Sequence, residues 1–393
     1  MNRFDPTRMT LSPPHLKKVI YIDQFAISDM MKSIDAEARG HRRVDAFWLE
    51  LFKALERVCK LQLAVCPSSP IHREESLVAT SFAALERMYE QLSNGVKFQR
   101  PEEIEQRQTD RALVAWLDGR EPVHELDPQR VTYGGLHEWQ GRYLVTVSME
   151  NVELLAAQAK QARRRMSKSL AEWFEGCRRR NDRTFGHALE IESDGCRDGL
   201  VGAYTDWTKR QVDLATGRIP VTPQNVSPSA AALQVICILE VLQRRHVAAS
   251  DARSVLIEFL NSPHFRNTPV NQISTRLFAS IAHAAANGQK QPPDDGASND
   301  IRMVSAYMPY CDAMLVDNRI RAMLTSLPKL YALQYPCRLF SRNNGDSFLT
   351  YLKDLERDGD PLILALVRDV YGPDWPTPFV EMYEVDRRRA RRS

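Results

Sequence analysis

The sequence predicts an α/β fold: a parallel sheet flanked by helices, split by a large all-helical insertion. Three observations carry that expectation. The run Lys18–Ile22, KVIYI, is apolar after its first residue and ends on Asp23, the pattern of a central strand covered on both faces. A second apolar run, LQLAVC from Leu61 to Cys66, follows an amphipathic stretch, so strand, helix and strand succeed one another and the crossover implies parallel pairing. A third, from Cys311 to Val316, ends on Asp317 far downstream, after a long region of helical pattern.

Taken in order, residues 1 to 17, with Pro6, Pro13 and Pro14, read as an extended lead-in. After Asp23 the apolar residues of QFAISDMMKSI fall at helical spacing, so this acid stands at a strand-to-helix junction. The charged, glycine-containing piece from Asp35 to Arg43 reads as a loop. Between Val44 and Lys60, Phe47, Leu51, Ala54, Leu55 and Val58 form one helical stripe. Pro67 and Pro70 stop the second strand, and Ile71 to Asn94 reads as one long helix bearing Glu74 and Glu75. From about 101 to 290 the pattern is helical, with apolar residues three and four apart over Met149 to Trp173, Ala230 to Arg245, Ala252 to Leu260 and Asn271 to Asn287. Asp213 to Pro228 is a proline-rich connector, and Asn287 to Ser298 an exposed loop. Next comes a short helix from Asn299 to Tyr307, with Ser298 or Asn299 as its N-cap, carrying Asp300. A helix from Asn318 to Leu327, a strand from Tyr335 to Ser341, helices over Ser347–Arg357 and Pro361–Tyr371, and an arginine-rich tail complete the chain. The expected division is 16–95 and 296–360 for the two parts of the sheet domain, 96–295 for the helical insertion, and 361–393 for a last helix and basic tail.

With 43% hydrophobic residues over 393 positions, the chain can bury a substantial core and is not a disordered one. A net charge of +3 neither demands nor excludes a nucleic-acid partner. Local basic clusters, Arg163, Arg164 and Arg165, then Arg178, Arg179 and Arg180, then Arg244 and Arg245, then the tail from Arg387, are either solvated faces or phosphate contacts. Seven cysteines without metal-type spacing suit reduced thiols, with Cys66 and Cys311 as small core residues. The amino-terminal residues lack the apolar core of a signal peptide, and no stretch reaches bilayer-spanning length, so a cytoplasmic protein without a membrane partner is expected.

The acids form the chemical constellation. Strand spacing separates Asp312 from Asp317: five residues apart, they point to opposite faces and lie roughly 16 Å from one another at about 3.3 Å per residue. Asp317 matches Asp23 in position, while Asp312 reads as a cap or a supporting group. Of Glu74 and Glu75, neighbours about 100° apart on a helix, Glu75 is preferred for the crevice. Carboxylates gathered in one crevice repel unless some are protonated or a divalent cation is bound. Oxygen-only donors select Mg2+ or Mn2+, which can activate a water and offset charge on a phosphodiester. Other features read more simply. Ser68 and Ser69 are caps more readily than phosphate ligands, and His72 at a helix start has a polar surface role. Tyr307 and Tyr310 are packing residues with bonded hydroxyls, Trp116, Trp139 and Trp173 are core, and Gly134–Gly135 is an isolated turn pair.

The order strand-Asp23, strand-helix-Glu75 (or Glu74), helix-Asp300, strand-Asp317 resembles the PIN-like nuclease superfamily, over about residues 16 to 95 and 296 to 360. DAMLVDN resembles that family's strand ending before an acidic turn, with Leu315 where a threonine is usual, and CRLFSRNNGDSFLTYL resembles its last strand and closing helix. The resemblance implies a Mg2+- or Mn2+-dependent endoribonuclease, acting on RNA rather than DNA, and admits a toxin or defence role. Asp23, Glu75, Asp300 and Asp317 would be the catalytic metal ligands, Glu74, Asp312, Asn318 and Ser69 their supporting or alternative members, and the arginine clusters at 163–165 and 178–180 the nucleic-acid contacts. The alternative is an inactive PIN-like scaffold that binds RNA or protein.

Overall fold

In a computed structural model the described residues are 15–40, 44–77, 81–140, 167–180, 184–294 and 296–380. The chain runs β1 (Lys18–Ile22), α1 (Gln24–Ala38), α2 (Ala46–Lys60), β2 (Ala64–Val65), α3 (Pro70–Ser76), α4 (Phe82–Ser93), β3 (Lys97–Phe98), α5 (Pro101–Leu117) and β4 (Thr132–Tyr133). A helix over 167–178, α6, precedes α7 (Phe185–Ala215), α8 (Pro223–Val226), α9 (Ala230–Arg244), α10 (Ala252–Asn261), α11 (Pro263–Arg266) and α12 (Pro269–Ala286). The return to the sheet is α13 (Ala297–Tyr307), β5 (Ala313–Leu315), α14 (Asn318–Thr325), β6 (Arg338–Phe340), α15 (Gly345–Arg357) and α16 (Pro361–Tyr371).

The main sheet has the order β2-β1-β5-β6, and every pairing in it is parallel. Ile22 stands beside Leu315, and the ladder runs one residue further, where the Asp23 amide donates to the Leu315 carbonyl at 3.0 Å. β1 and β5, far apart in sequence, thus lie side by side, and their carboxyl ends share one edge.

Alternation along β1 shows why its run is apolar throughout. Val19 and Tyr21 belong to one core, with Met314 and Val316, the α12 residues Ile273 and Leu277, and the α13 residues Ile301 and Val304. Ile20 and Ile22 belong to the other, with Leu315 and Phe340, Met30 of α1, Phe52 of α2, Met88 of α4 and Phe348 of α15. A central strand must satisfy both. A third cluster joins α5, α7, α9, α10 and α11 through Leu113, Leu200, Ile238, Leu256, Phe259 and Phe265.

Several expectations are corrected. The long helix from Ile71 to Asn94 is two helices, α3 ending at Ser76 and α4 beginning after Ser81; serine is a weak helix former, and both residues flank the break. The expected loop at Asp35 is the last turn of α1, in which Asp35 is buried and pairs with Arg39 at 4.0 Å; the turn follows at Gly40, with φ +66°. Neither Ser298 nor Asn299 caps α13: the N-cap is Gly296, and Asn299 is employed elsewhere. The proline-rich connector at 213–228 holds the end of α7 and the single turn α8. Gly134–Gly135, read as an isolated turn pair, directly follows β4, which pairs antiparallel with β3, and Gly134 takes φ +92°. Most of the helix expected over Met149 to Trp173, the first residues and the basic tail lie outside the described residues. Among the described residues, no helix is long and apolar enough to cross a membrane.

Candidate metal centre

Each acid is placed by the element it terminates or begins. Asp23 follows β1 in extended backbone, at φ −68° and ψ 152°, and is the N-cap residue of α1. Asp317 follows β5 and caps α14, where its Oδ1 accepts from the Ile320 amide at 2.6 Å. Asp300 lies in the first turn of α13, and Glu75 at the end of α3. Asp23, Glu75, Asp300 and Asp317 line a single cavity of about 800 Å3, together with Phe25, Ser28, Asp29 and Lys32 of α1, Ser81 and Leu85 at the start of α4, and Asp294 and Gly296. The four acids expected from sequence therefore share one crevice, at the carboxyl ends of the strands.

The electrostatics follow from that crowding. Burial, then the carboxylates of Glu75 and Asp317, push the Asp23 carboxyl from 3.8 up to about 7, against the opposing effect of the Gln24 and Phe25 amides at the head of α1. Burial, then Asp23, Asp317, Glu75 and Asp294, push Asp300 up to about 9. Six carboxylates line the cavity against one lysine, Lys32, which is 3.0 Å from Asp29. Both shifts have one origin: carboxyl groups crowded together and shielded from water take up protons more readily.

Glu75 is gripped from both sides. Its Oε1 accepts from Asn299 Nδ2 at 2.8 Å, and with the Gln24 amide nitrogen turned toward it, Oε2 accepts at 2.6 Å while the Gln24 oxygen accepts from the Ser76 amide at 3.3 Å. Gln24 is the neighbour of Asp23 and Asn299 the neighbour of Asp300, so the acids are cross-tied through the residues beside them. The sequence offered one signal for this, an amide next to each of two acids, in DQ and ND.

The other candidates lie elsewhere. Glu74 is turned to Arg100 at 2.6 Å, and Asp312 stands at the opposite end of the sheet, accepting from Lys18 Nζ at 2.8 Å and the Val19 amide at 2.9 Å. Ser69 caps α3 through the Ile71 amide at 3.3 Å, and exposed Asn318 accepts from the Asn343 amide at 3.0 Å. Arg178 pairs with Glu175 at 3.0 Å and Arg180 with Glu192 at 3.2 Å, while Arg179 is exposed; Arg163, Arg164 and Arg165 lie outside the described residues. His72, expected at the surface, is instead buried, its Nε2 2.8 Å from the Tyr21 hydroxyl, and burial lowers its pKa to about 3. Tyr307 packs against Phe98 and its hydroxyl donates to the Gln99 carbonyl at 3.0 Å; the Tyr310 hydroxyl accepts from Gln108.

The donor chemistry of the cavity fits a hard divalent cation: oxygen atoms of four central carboxylates, with no histidine or cysteine among the lining residues. As the side chains stand, no three His, Cys, Asp or Glu among the described residues converge as a ready ligand set. Compared with protein-family models, curated proteins and solved structures, the chain matches none.

Proposed function

We propose that this is a PIN-like, divalent-cation-dependent nuclease that hydrolyses phosphodiester bonds in RNA. One observation carries the reading: Asp23, Glu75, Asp300 and Asp317, drawn from two stretches far apart in sequence, line one cavity at the carboxyl edge of a parallel sheet. Such a concentration of buried negative charge is costly to folding, and a bound dication repays that cost.

Asp23, Asp300 and Asp317 would hold Mg2+ or Mn2+, with Glu75 held by Asn299 and Gln24 as the fourth ligand or as the base facing the attacking water. When bound, the ion supplies activation of a water and neutralises charge that grows on the phosphate. The chain's own contribution is to fix the carboxylates on rigid strand ends and helix starts. Lys32 and Ser28, on the α1 wall, are within the same cavity and suited to a phosphate oxygen, and Phe25 offers a flat apolar surface for a base or sugar. The arginine clusters at 163–165 and 178–180 are proposed to contact the phosphates of the nucleic-acid strand.

The test is incubation of the purified full chain with single-stranded RNA, in Mn2+ or in chelator. Cation-dependent cutting, lost in Asp23→Asn, supports the reading. RNA binding without cutting, unaffected by Asp23→Asn, contradicts it and favours a non-catalytic scaffold.

A further inference from the structure

Resting on the proposed cation site, a second layer of residues accounts for how its acids keep their spacing. Below the cavity, the Tyr21 hydroxyl meets a side chain from each of two other acid-bearing elements: it lies 2.8 Å from His72 Nε2 on α3 and 3.3 Å from Met303 Sδ on α13. The intervals give these contacts meaning. Tyr21 precedes Asp23 by two residues, on the same side of an extended chain. His72 precedes Glu75 by three and Met303 follows Asp300 by three, each one helical turn away on the same face. One phenol therefore ties together β1, α3 and α13, one step beneath Asp23, Glu75 and Asp300.

The hydrogen-bond directions are set by what is left over. His72 Nδ1 is buried without a partner, and a buried N–H left unpaired is rarer than a buried lone pair left unpaired. The proton therefore sits on Nε2, which donates to the Tyr21 oxygen, leaving the Tyr21 O–H to donate to Met303 Sδ. The chain of bonds runs α3 to β1 to α13 without a gap. A weaker tie parallels it: Ser69 Oγ, the cap of α3, lies 3.7 Å from Met303 Sδ and 3.4 Å from the Tyr307 hydroxyl.

These ties matter because the elements they join would otherwise separate. Seven-residue α3 is too short to be stable alone, and the carboxylates it helps to gather repel one another. We infer that Tyr21 is a positioning residue: its hydroxyl joins His72 and Met303, so that Asp23, Glu75 and Asp300 hold the spacing that a divalent cation requires.

Calorimetric titration of Mn2+ into the full chain tests this, using wild type, Tyr21→Phe, Met303→Leu and Asp312→Asn. The first two variants remove a link and keep the volume; the third breaks the Lys18 pair at the opposite sheet edge and controls for general loosening. Tyr21→Phe and Met303→Leu are expected to weaken Mn2+ binding about tenfold with circular dichroism preserved, while Asp312→Asn lowers Tm and leaves affinity in place. Unchanged affinity in both link variants overturns the assignment, as does an equal loss in Asp312→Asn. Should Tyr21→Phe not fold, Met303→Leu alone decides. Wild type that takes up no Mn2+ overturns the cation reading itself, an outcome distinct from wild-type binding that the link variants share.

Discussion

Asp23 is where burial, charge and backbone geometry meet, and its protonation has consequences for the whole chain. Its carboxyl rises from 3.8 to about 7, and that of Asp300 to about 9. A folded state that holds protons more tightly than the unfolded one is stabilised below the unfolded value and loses that contribution as pH climbs through the folded value. The cation-free protein should therefore lose Tm between about pH 4 and about pH 9. Asp23→Asn should flatten the lower part of that slope, and saturating Mn2+ should reverse it, both read by thermal denaturation across a pH series. In cleavage assays, Asp23→Asn or Asp317→Asn should cost about a thousandfold in rate, the loss of several kcal/mol of charge stabilisation. Asn299→Ala, which frees one oxygen of Glu75, should cost less, about tenfold, with the fold intact. Asp23, Asp300 and Asp317 were legible because each stands at a junction where hydrophobic pattern changes, whereas Glu75 was read within a longer helix and the end of α3 beside it was not visible. The grip of Gln24 and Asn299 on Glu75 showed only as an amide beside each of two acids, since an amide's partner across space leaves no periodic trace. The burial of His72 was not legible: a lone histidine at a helix start gives no sign of the tyrosine opposite.

At the scale of elements, order and type were readable where apolar spacing is strong, as in α2, α9, α12 and α15, whose expected bounds fall within a few residues of those observed. Strand lengths were not, because a parallel ladder lasts only while two chains run side by side. Pro67 and Pro336 bound β2 and β6 to two and three residues. The two-residue pairing of β3 with β4 is too short to give alternation. Capping gives a direct check on α3: Ser69→Ala removes the bond to the Ile71 amide and should lower stability by about 1 kcal/mol in chemical denaturation. A fully buried residue of β5 sets the contrast. Met314→Ala empties a site in the core beneath the acids and should cost about 2–5 kcal/mol.

For the molecule as a whole, the region between residues 96 and 295 is not an appendage hung from a finished sheet. Its helices α5 and α12 supply Ile104, Ile273, Leu277 and Ile281 to the core that covers Val19, Tyr21, Met314 and Val316, while α7, α9 and α10 build a separate cluster beyond. Replacing 96–295 by a short linker should leave one face of the sheet bare and yield a chain without cooperative unfolding, as circular dichroism during denaturation would show. The sequence disclosed the helical character of this region but not its contribution to the sheet, since an amphipathic stripe does not say which surface it meets. Net charge of +3 also conceals a cavity in which acids outnumber lysine six to one. On the proposed reading, a polyanionic substrate would approach such a cavity once a cation had offset its negative charge.

Anomalous diffraction from a crystal soaked in Mn2+ tests this most directly. A peak among Asp23, Asp300 and Asp317, with carboxylate oxygens roughly 2.1 Å away and absent in Asp23→Asn crystals, is the result expected. Mn2+ at sites remote from the cavity, with those acids still apart in a fully soaked crystal, would contradict it.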